Sequence, residues 1–268
     1  MPLLLCLALG LADAAPPSSC APHDNANPDK GRRDSGPARP PEVRRVRWKE
    51  RNFTVVEVHL DGMHRMDLFG QGDGAPRTID AAEGALRDEG REMLAATNAG
   101  MYRPNRRPVG LHIERGQLHS PVVRGASGGN FGLLPNGIFY VDDTGAHIVT
   151  TPEWRLPAEG IWLATQSGPI LVRAGNVHPE FREASPSLNL RSGVGVHPDG
   201  RVFLAISDGG VRFHEFATLF RDELGCPDAL YLDGVVSTLV VEGRDGVENR
   251  VGHYSGVLTV SRPEGSAP

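Results

Sequence analysis

An aspartate interrupts a hydrophobic run near the C-terminus, and its placement suggests chemistry more directly than that of any other residue. The run is LYLDGVVSTLVV, residues 230–241, with Asp233 and Gly234 in its middle. An isolated charge inside a buried strand costs several kcal/mol or forces a shift in its pKa. Asp233 therefore marks the end of a strand, or serves as a catalytic carboxylate, or does both.

Other polar groups border strand-like runs in the same way. Asp208 and Gly209 end the run RVFLAIS, and Arg191 precedes the run SGVGV. Asp-Gly and Ser-Gly-Pro are also turn sequences, so a turn explains any one of these breaks without a functional role. Their joint occurrence inside otherwise apolar runs favours a shared site. The remaining polar candidates are Thr97, Asn98, Gln166, Ser167 and Ser237.

The motifs of several common enzyme classes are missing from the sequence. Ser167 lacks the G-x-S-x-G frame of a nucleophile elbow, and neither H-E-x-x-H nor C-x-x-C is present as a zinc site. Phosphate-loop and dinucleotide fingerprints are also missing. The net charge of −5 gives no reason to expect a nucleic-acid partner, and we predict none.

Two helices are predicted from apolar spacing and end signals. TIDAAEGALRDEG predicts a helix that begins at Thr78 or Asp80 and ends at Gly90. FHEFATLFRDELG predicts a second helix with a core-facing aromatic stripe, closed by Gly225. Strand, helix and strand in that order suggest a crossover with partly parallel pairing, which would put Asp208 and Asp233 at the ends of neighbouring strands.

Short strands joined by turns make up most of the rest. We expect a hairpin about Asp61-Gly62 that pairs FTVVEVHL with HRMDLF, a hairpin turn at Asn136-Gly137, and a hairpin about residues 198–200. The predicted fold class is α+β, a single domain with a mixed β-sheet flanked by a few helices.

The N-terminal region is predicted to lie outside the folded domain. The run LLLCLALGL and the small residues after it predict a signal peptide over residues 1–14, and so an exported, periplasmic or extracellular protein without a transmembrane segment. Proline-rich residues 15–45 predict a disordered tether, residues 46–262 the folded domain, and residues 263–268 a tail. Cys20 could be lipidated or could pair with Cys226, although a free, inert Cys226 is favoured.

Five segments, taken in order, resemble the phosphodiester glycosidase family over roughly residues 53–261. They are NAGMYRPNRRPVGLHIERGQ, GGNFGLLPNGIFYV, ATQSGPILV, RSGVGVHPDGRVFLAISDGG and FRDELGCPDALYLDGVVSTL. The resemblance implies hydrolysis of a sugar-1-phosphodiester. The positions that match the family's motifs are Asn98, Gly100, Ser167, Gly168, Pro169, Arg191, Asp208, Gly209, Asp233, Gly234 and Ser237.

One motif departs from the family's lysosomal member, whose pattern is Asp-Gly-Gly-Gly-Ser. This chain has Asp233-Gly234-Val235-Val236-Ser237, which makes the loop stiffer and bulkier. The sugar specificity and the activity of the family's lysosomal member therefore do not carry over to this chain from the resemblance alone.

The resemblance implies roles for these residues. Asp233 would be nucleophile or general base with Asp208 as its partner, although the two roles could be exchanged. Arg191 would hold the phosphate through charge-assisted hydrogen bonds. Sugar hydroxyls or phosphate oxygens would be positioned by Asn98, Gln166, Ser167 and Ser237.

Two other functions fit the same residues. A non-catalytic envelope protein could bind anionic glycans in this cleft, with Asp208 and Asp233 as turn residues. A metal-dependent phosphodiesterase could cut the P–O bond instead. We expect no required cofactor, although the two aspartates could hold a divalent cation such as Ca²⁺. The predicted partner is a sugar phosphodiester or an anionic glycan.

Overall fold

A computed structural model describes residues 40–72, 74–125, 128–155, 160–234, 236–242 and 252–266. The predicted signal peptide, most of the predicted tether and Cys20 lie outside these residues. No helix in the described part of the chain is both long and apolar enough to cross a membrane.

Strands predominate, and the described residues form three sheets. The strands are β1 (Glu42–Trp48), β2 (Arg51–Val58), β3 (Arg65–Phe69), β4 (Arg91–Asn98), β5 (His112–Glu114), β6 (Gln117–Ser120), β7 (Gly137–Asp142), β8 (Gly145–Thr150), β9 (Ile161–Ser167), β10 (Ile170–Arg173), β11 (Asn176–Val177), β12 (Ser192–Val196), β13 (Val202–Ser207), β14 (Asp228–Asp233), β15 (Leu239–Val241) and β16 (Val257–Pro263). The helices are α1 (Ile79–Asp88) and α2 (Phe213–Thr218), and α2 continues as a wider π-helical turn over Leu219–Glu223.

The strand orders define a seven-, a four- and a five-stranded sheet. They are β1-β2-β13-β12-β14-β10-β11, β15-β4-β16-β3 and β6-β5-β9-β7-β8. Apolar side chains from all three sheets meet in one core, which includes Val56, Leu68, Phe139, Leu163 and Leu230. Burial of this shared apolar surface holds the sheets together.

The other face of the seven-stranded sheet is covered by α2. Phe216 and Phe220 are fully buried there, together with Cys226. Burial raises the pKa of the Cys226 thiol to about 12, and the thiol is free, so it behaves as an inert core residue. Gly193 and Gly195 leave the space that the two phenyl rings occupy, because an added Cβ at either residue would come within 3.0 Å of them.

Both helix predictions are confirmed at their ends. Thr78 caps α1 by accepting a hydrogen bond from the backbone N–H of Ala81 (3.1 Å), and Gly90 follows the helix with a φ of 68°. Gly225, with a φ of 65°, closes the turn after α2.

The mixed sheet is a wrong prediction, because every strand pairing among the described residues is antiparallel. The crossover from β13 through α2 to β14 exists, but β12 lies between the two strands. The chain makes the β12–β13 hairpin first, and β14 then pairs with the free edge of β12. Asp208 and Asp233 therefore lie at the same edge of the sheet but not on neighbouring strands.

The hairpin about Asp61-Gly62 is also wrong, because β2 and β3 belong to different sheets. Asp61 does form a turn, and its Oδ1 accepts hydrogen bonds from the backbone N–H groups of Met63 and His64 (3.1 Å each). The turn redirects the chain from the seven-stranded to the four-stranded sheet. The predicted hairpin about residues 198–200 does join β12 to β13.

Asn136-Gly137 is not a hairpin turn, since Gly137 is the first residue of β7 and Asn136 is buried. A Cβ at Gly137 would lie 2.5 Å from Ile170 and 2.8 Å from Leu230, so close packing explains this glycine. The β7–β8 turn follows Asp142, whose Oδ1 accepts from the N–H groups of Thr144 (2.8 Å) and Gly145 (3.2 Å).

Candidate functional site

Four strands that carry predicted site residues end at the same place in the molecule. Asn98 is the last residue of β4, Ser167 of β9 and Asp233 of β14, while Asp208 directly follows β13. One hydrogen bond joins the five-stranded to the seven-stranded sheet at this point, from Ser167 Oγ to the Leu232 carbonyl (2.8 Å). A second, from Thr238 N–H to Asn98 Oδ1 (2.9 Å), ties the segment after β14 to the end of β4 in the four-stranded sheet. The structure thus brings most of the predicted residues to one edge.

Asp233 holds a partly buried carboxylate where β14 leaves the sheet. Burial raises its pKa to about 6, against the opposing effect of a 2.6 Å hydrogen bond from the backbone N–H of Gly234 to Oδ1. A carboxyl group with a pKa near neutrality can both take up and release a proton at physiological pH. The strand ends at this residue, as one of the sequence alternatives required.

Two serines fix the backbone that carries this carboxylate. Ser237 Oγ donates to the carbonyl oxygen of Asp233 (2.9 Å), and the Ser192 hydroxyl lies 3.4 Å from the same oxygen. The two hydroxyls also contact each other at 3.0 Å. Ser237, expected to bind substrate, therefore makes contacts that hold the Asp233 loop.

Arg191 is a buried cation without an anionic partner. Its side chain is 1% exposed, its guanidinium lies 3.5 Å from the centre of the Phe213 ring, and its Nε donates to the Val211 carbonyl (2.9 Å). Nη2 is buried with no hydrogen-bond acceptor, and no carboxylate of the described residues lies within salt-bridge distance of the group. Burial lowers its pKa, which means that the site would gain from an anion.

The hydroxyl of Tyr231 responds to the charges of both this cation and the Asp233 carboxylate, and the Arg191 guanidinium lies 5.7 Å from the Tyr231 ring centre. Burial raises the pKa of its hydroxyl; the charge of Arg191 lowers it and the charge of Asp233 raises it further. Asn130 donates to the hydroxyl (3.3 Å), and a Cβ on Gly234 would lie 2.7 Å from it. Gly234 therefore allows the Asp233 loop to approach Tyr231 closely.

The charge of Asp233 also acts on the hydroxyl of Tyr102. Burial raises the pKa of Tyr102, the charge of Asp233 adds to this, and Arg106 opposes it. Sequence analysis missed both tyrosines and Asn130. Tyr102 stands four residues after Asn98 in the same motif, but an aromatic residue in a loop carries no spacing signal of its own.

Asp208 directs its carboxylate away from Asp233. Its Oδ2 accepts from Arg45 Nη1 (2.6 Å) and its Oδ1 from Thr54 Oγ1 (3.1 Å), so it binds the β1–β2 side of the sheet. Asp208 is not among the groups that shift the pKa of Asp233. The structure does not bring the two carboxylates together, and the catalytic role of Asp208 stays a prediction.

Gln166 uses its side chain to hold loops. Its Oε1 accepts from the N–H groups of Leu111 and Val123 (3.0 Å each), and its Nε2 donates to the Val123 carbonyl (2.7 Å) and to Thr151 Oγ1 (3.1 Å). An amide with these four bonds has little capacity left for a ligand. Its contacts are those of a scaffold residue.

The two glycines of these motifs serve close packing. A Cβ on Gly100 would overlap the carbonyl oxygen of Gln166, and a Cβ on Gly168 would overlap the Asn136 side chain. Asn98 is buried, with its amide bonded to the backbone at Thr238 and Ala99. These residues support the site through packing and backbone hydrogen bonds. As for metals, the described residues contain no group of three or more His, Cys, Asp or Glu that could hold an ion.

Comparisons with known proteins show the family and the fold of this chain. A family model described as phosphodiester glycosidase matches residues 91–264. An uncharacterized protein, YigE of Escherichia coli K12, is 31% identical over 166 residues, which cover 62% of this chain and 65% of that protein. The chain thus matches about two thirds of the length of that relative.

Two solved structures share the fold. The catalytic domain of zebrafish N-acetylglucosamine-1-phosphodiester alpha-N-acetylglucosaminidase, auto-inhibited by its pro-peptide, has a TM-score of 0.58 at 16% identity, covering 82% of this chain and 81% of that one. A Burkholderia pseudomallei K96243 protein that is predicted to be exported has a TM-score of 0.50 at 14% identity, covering 78% and 74%. At these identities the likeness is one of fold.

Proposed function

Because this chain belongs to the phosphodiester glycosidase family, we propose that it hydrolyses the bond between a sugar and a phosphodiester in an envelope or extracellular glycan. One observation carries the proposal: the Asp233 carboxyl group, whose pKa is raised, and the buried Arg191 guanidinium, whose Nη2 lacks an acceptor, both act on the Tyr231 hydroxyl, and Ser192, which follows Arg191, pairs with Asp233 across the sheet. Asp233 and Arg191 supply a base for water and a positive charge for phosphate.

Asp233 acts as the general base in the proposed reaction. It removes a proton from a water molecule, and the water oxygen bonds to the anomeric carbon as the bond from that carbon to the phosphate oxygen breaks. The electron pair leaves with the phosphate, so the products are a free sugar and a phosphate monoester. A monoester with a second pKa of about 6 is a good leaving group, which explains how the reaction proceeds without a second carboxylic acid beside Asp233.

Arg191 supplies the phosphate site. A phosphate oxygen beside Tyr231 gives Nη2 the acceptor that it lacks within the protein. Charge-assisted bonds of this kind strengthen as negative charge grows on the leaving oxygen. Tyr102 and the Tyr231 hydroxyl border the same space and position the sugar and phosphate.

The proposed location is outside the cytoplasm. The apolar run and small residues at the N-terminus support it, and the fold is shared with a protein that is predicted to be exported. The substrate would then be a glycan of the cell envelope or its surroundings.

Sugar release from a panel of sugar-1-phosphodiesters tests the proposal, measured from pH 4.5 to 8. We expect kcat/KM to fall tenfold per pH unit below about 6, because Asp233 must be deprotonated to act as a base. Asp233→Asn should lose at least 100-fold at neutral pH, while Arg191→Met should lose activity mainly through weaker phosphate binding.

The control is Asp208→Asn, since the Asp208 carboxylate is bonded to Arg45 and Thr54. We expect this variant to retain most of its activity. Equal glycan binding by the wild type and Asp233→Asn, with no turnover of any substrate, would instead support the non-catalytic glycan-binding function.

A further inference from the structure

A basic cleft opens beside the candidate site and is not used by the reaction described above. Its volume is about 720 Å³, which is the size of a pocket that holds a ligand. Cationic or ionisable basic side chains line it from three parts of the chain: Arg77, Arg103, Arg106, Arg107 and His119.

Three arginines of this cleft have no carboxylate partner among the described residues, whereas His119 lies 4.0 Å from Glu114. Among the described residues, Arg103, Arg106 and Arg107 make no ion pair, and no carboxylate lines the cleft. Several arginines of the sheets are paired, such as Arg173 with Asp228 (2.7 Å) and Arg201 with Glu57 (2.7 Å). Three guanidinium groups on one loop create a positive potential that a bound anion would lower.

One loop connects the cleft to Asp233. Tyr102 and Pro108 form a bridge at its base, and hydrogen bonds from Arg103 N–H to the Arg107 carbonyl (2.9 Å) and from Arg106 N–H to the Arg103 carbonyl (2.7 Å) shape its tip. Arg106 adopts a positive φ of 62°, which turns the tip back on itself. Asn98, four residues before Tyr102, accepts at Oδ1 from the N–H of Thr238 (2.9 Å), five residues after Asp233, so the segments that carry Tyr102 and Asp233 are bonded to each other. The charges of Asp233 and Arg106 both act on the Tyr102 hydroxyl, in agreement with this contact.

We propose that this cleft binds a second phosphate of the same substrate chain, so that the substrate is a glycan or polyol polymer with repeated phosphodiesters. The inference rests on the proposed function of the Asp233 site. Arginine is suited to this task because its planar guanidinium forms paired hydrogen bonds with phosphate. A polymer of this class places an anion at both sites at once, since each repeat carries one phosphate.

A matched pair of substrates tests the inference by kinetics. Both carry the same sugar-1-phosphodiester, extended in one by a glycerol phosphate and in the other by uncharged glycerol. For the wild type we expect kcat/KM to be at least tenfold higher for the phosphate-extended substrate. The difference should arise from a lower KM, and added salt should reduce it. Arg103→Ala/Arg107→Ala should lose this preference and keep its activity on the uncharged substrate.

The matched control is Arg47→Ala/Arg182→Ala. Both arginines are exposed, neither makes a side-chain hydrogen bond or ion pair among the described residues, and neither lines the cleft, so the same loss of charge occurs away from it. The Arg47→Ala/Arg182→Ala variant should keep the preference for the phosphate-extended substrate. An equal loss in both double variants, or the same kcat/KM for both substrates in the wild type, would overturn the inference.

A binding measurement separates this inference from the proposed function. A short glycerol phosphate oligomer is titrated into the full chain carrying Asp233→Asn, with and without Arg103→Ala/Arg107→Ala. Arginine-dependent binding would support the cleft even if the wild type hydrolysed no sugar-1-phosphodiester, a result that would overturn only the proposed function. Binding unaffected by the arginines, or tighter binding of an oligodeoxynucleotide with the same number of phosphates, would overturn the cleft assignment.

Discussion

At the scale of the residue, the burial of the Asp233 carboxylate lowers the stability of the fold. Its carboxylate is less stable in the folded protein than in water, because burial raises its pKa from an ordinary value near 4 to about 6. A raised folded-state pKa favours the protonated form, so the ionised carboxylate destabilises the fold as pH rises through the interval from about 4 to 6. The site gains a base with a pKa near neutrality from the same burial.

Asp233→Asn is therefore expected to stabilise the protein at neutral pH. The gain in the free energy of unfolding is at most about 3 kcal/mol at pH 7, from roughly two pKa units at about 1.4 kcal/mol each. It should vanish below about pH 4, where the carboxyl group is protonated in both states. Urea unfolding of both proteins at pH 4 and pH 7 measures it, and the same gain at both pH values would contradict the raised pKa.

At the scale of elements, the site depends on where strands end and on how closely their loops approach. The loop after β4 passes directly over the end of β9, and Gly100 permits the contact because it has no Cβ. Gln166 then bonds the chain at Leu111 and Val123 to the same strand end. These are packing requirements, which explains why family motifs contain residues that do not face a ligand.

Gly100→Ala should destabilise the protein by about 1–3 kcal/mol and reduce activity. Its Cβ would overlap the Gln166 carbonyl and lie 3.0 Å from Thr165 Oγ1, so the loop that carries Tyr102 must shift. Gly84→Ala is the control, because this helix glycine has no atom within 4 Å of an added Cβ and should gain about 0.5–1 kcal/mol. Thermal unfolding measures both, and an unchanged Gly100→Ala protein would show that the loop adapts freely.

At the scale of the whole molecule, three antiparallel sheets share one core and direct four strand ends to one edge. The seven-stranded sheet needs β1 as its outer strand, where Arg44 pairs with Glu57 (3.7 Å) and Arg45 with Asp208 (2.6 Å). The sequence-based domain start at residue 46 falls inside this strand. The proline-rich composition of residues 15–45 suggested a tether, but Val43 packs against the shared core and Val46 against the α2 side of the sheet, on opposite faces of the strand.

A chain that begins at Val46 should be less stable than one that begins at Pro40. The shorter chain loses the pairing of residues 42–45 with β2 and both ion pairs. We expect a loss of at least about 1 kcal/mol, or roughly 2–4 °C in Tm for a domain of this size. Differential scanning calorimetry measures the Tm of both chains. Equal Tm values would support a folded domain that begins at residue 46, as the sequence predicted.

The sequence by itself determined the local structure: the cap at Thr78, the turn after α2, the hairpin about residues 198–200, and the end of a strand at Asp233. These depend on residues close together in the chain. The family motifs also indicated which segments meet.

Only the tertiary structure decided which side chains share the site. It placed β12 between β13 and β14, turned Asp208 towards Arg45, and put Tyr102 and Tyr231 beside Asp233. The physical reason is that strand order and side-chain direction result from packing three sheets on one core, and this involves residues that are distant in sequence.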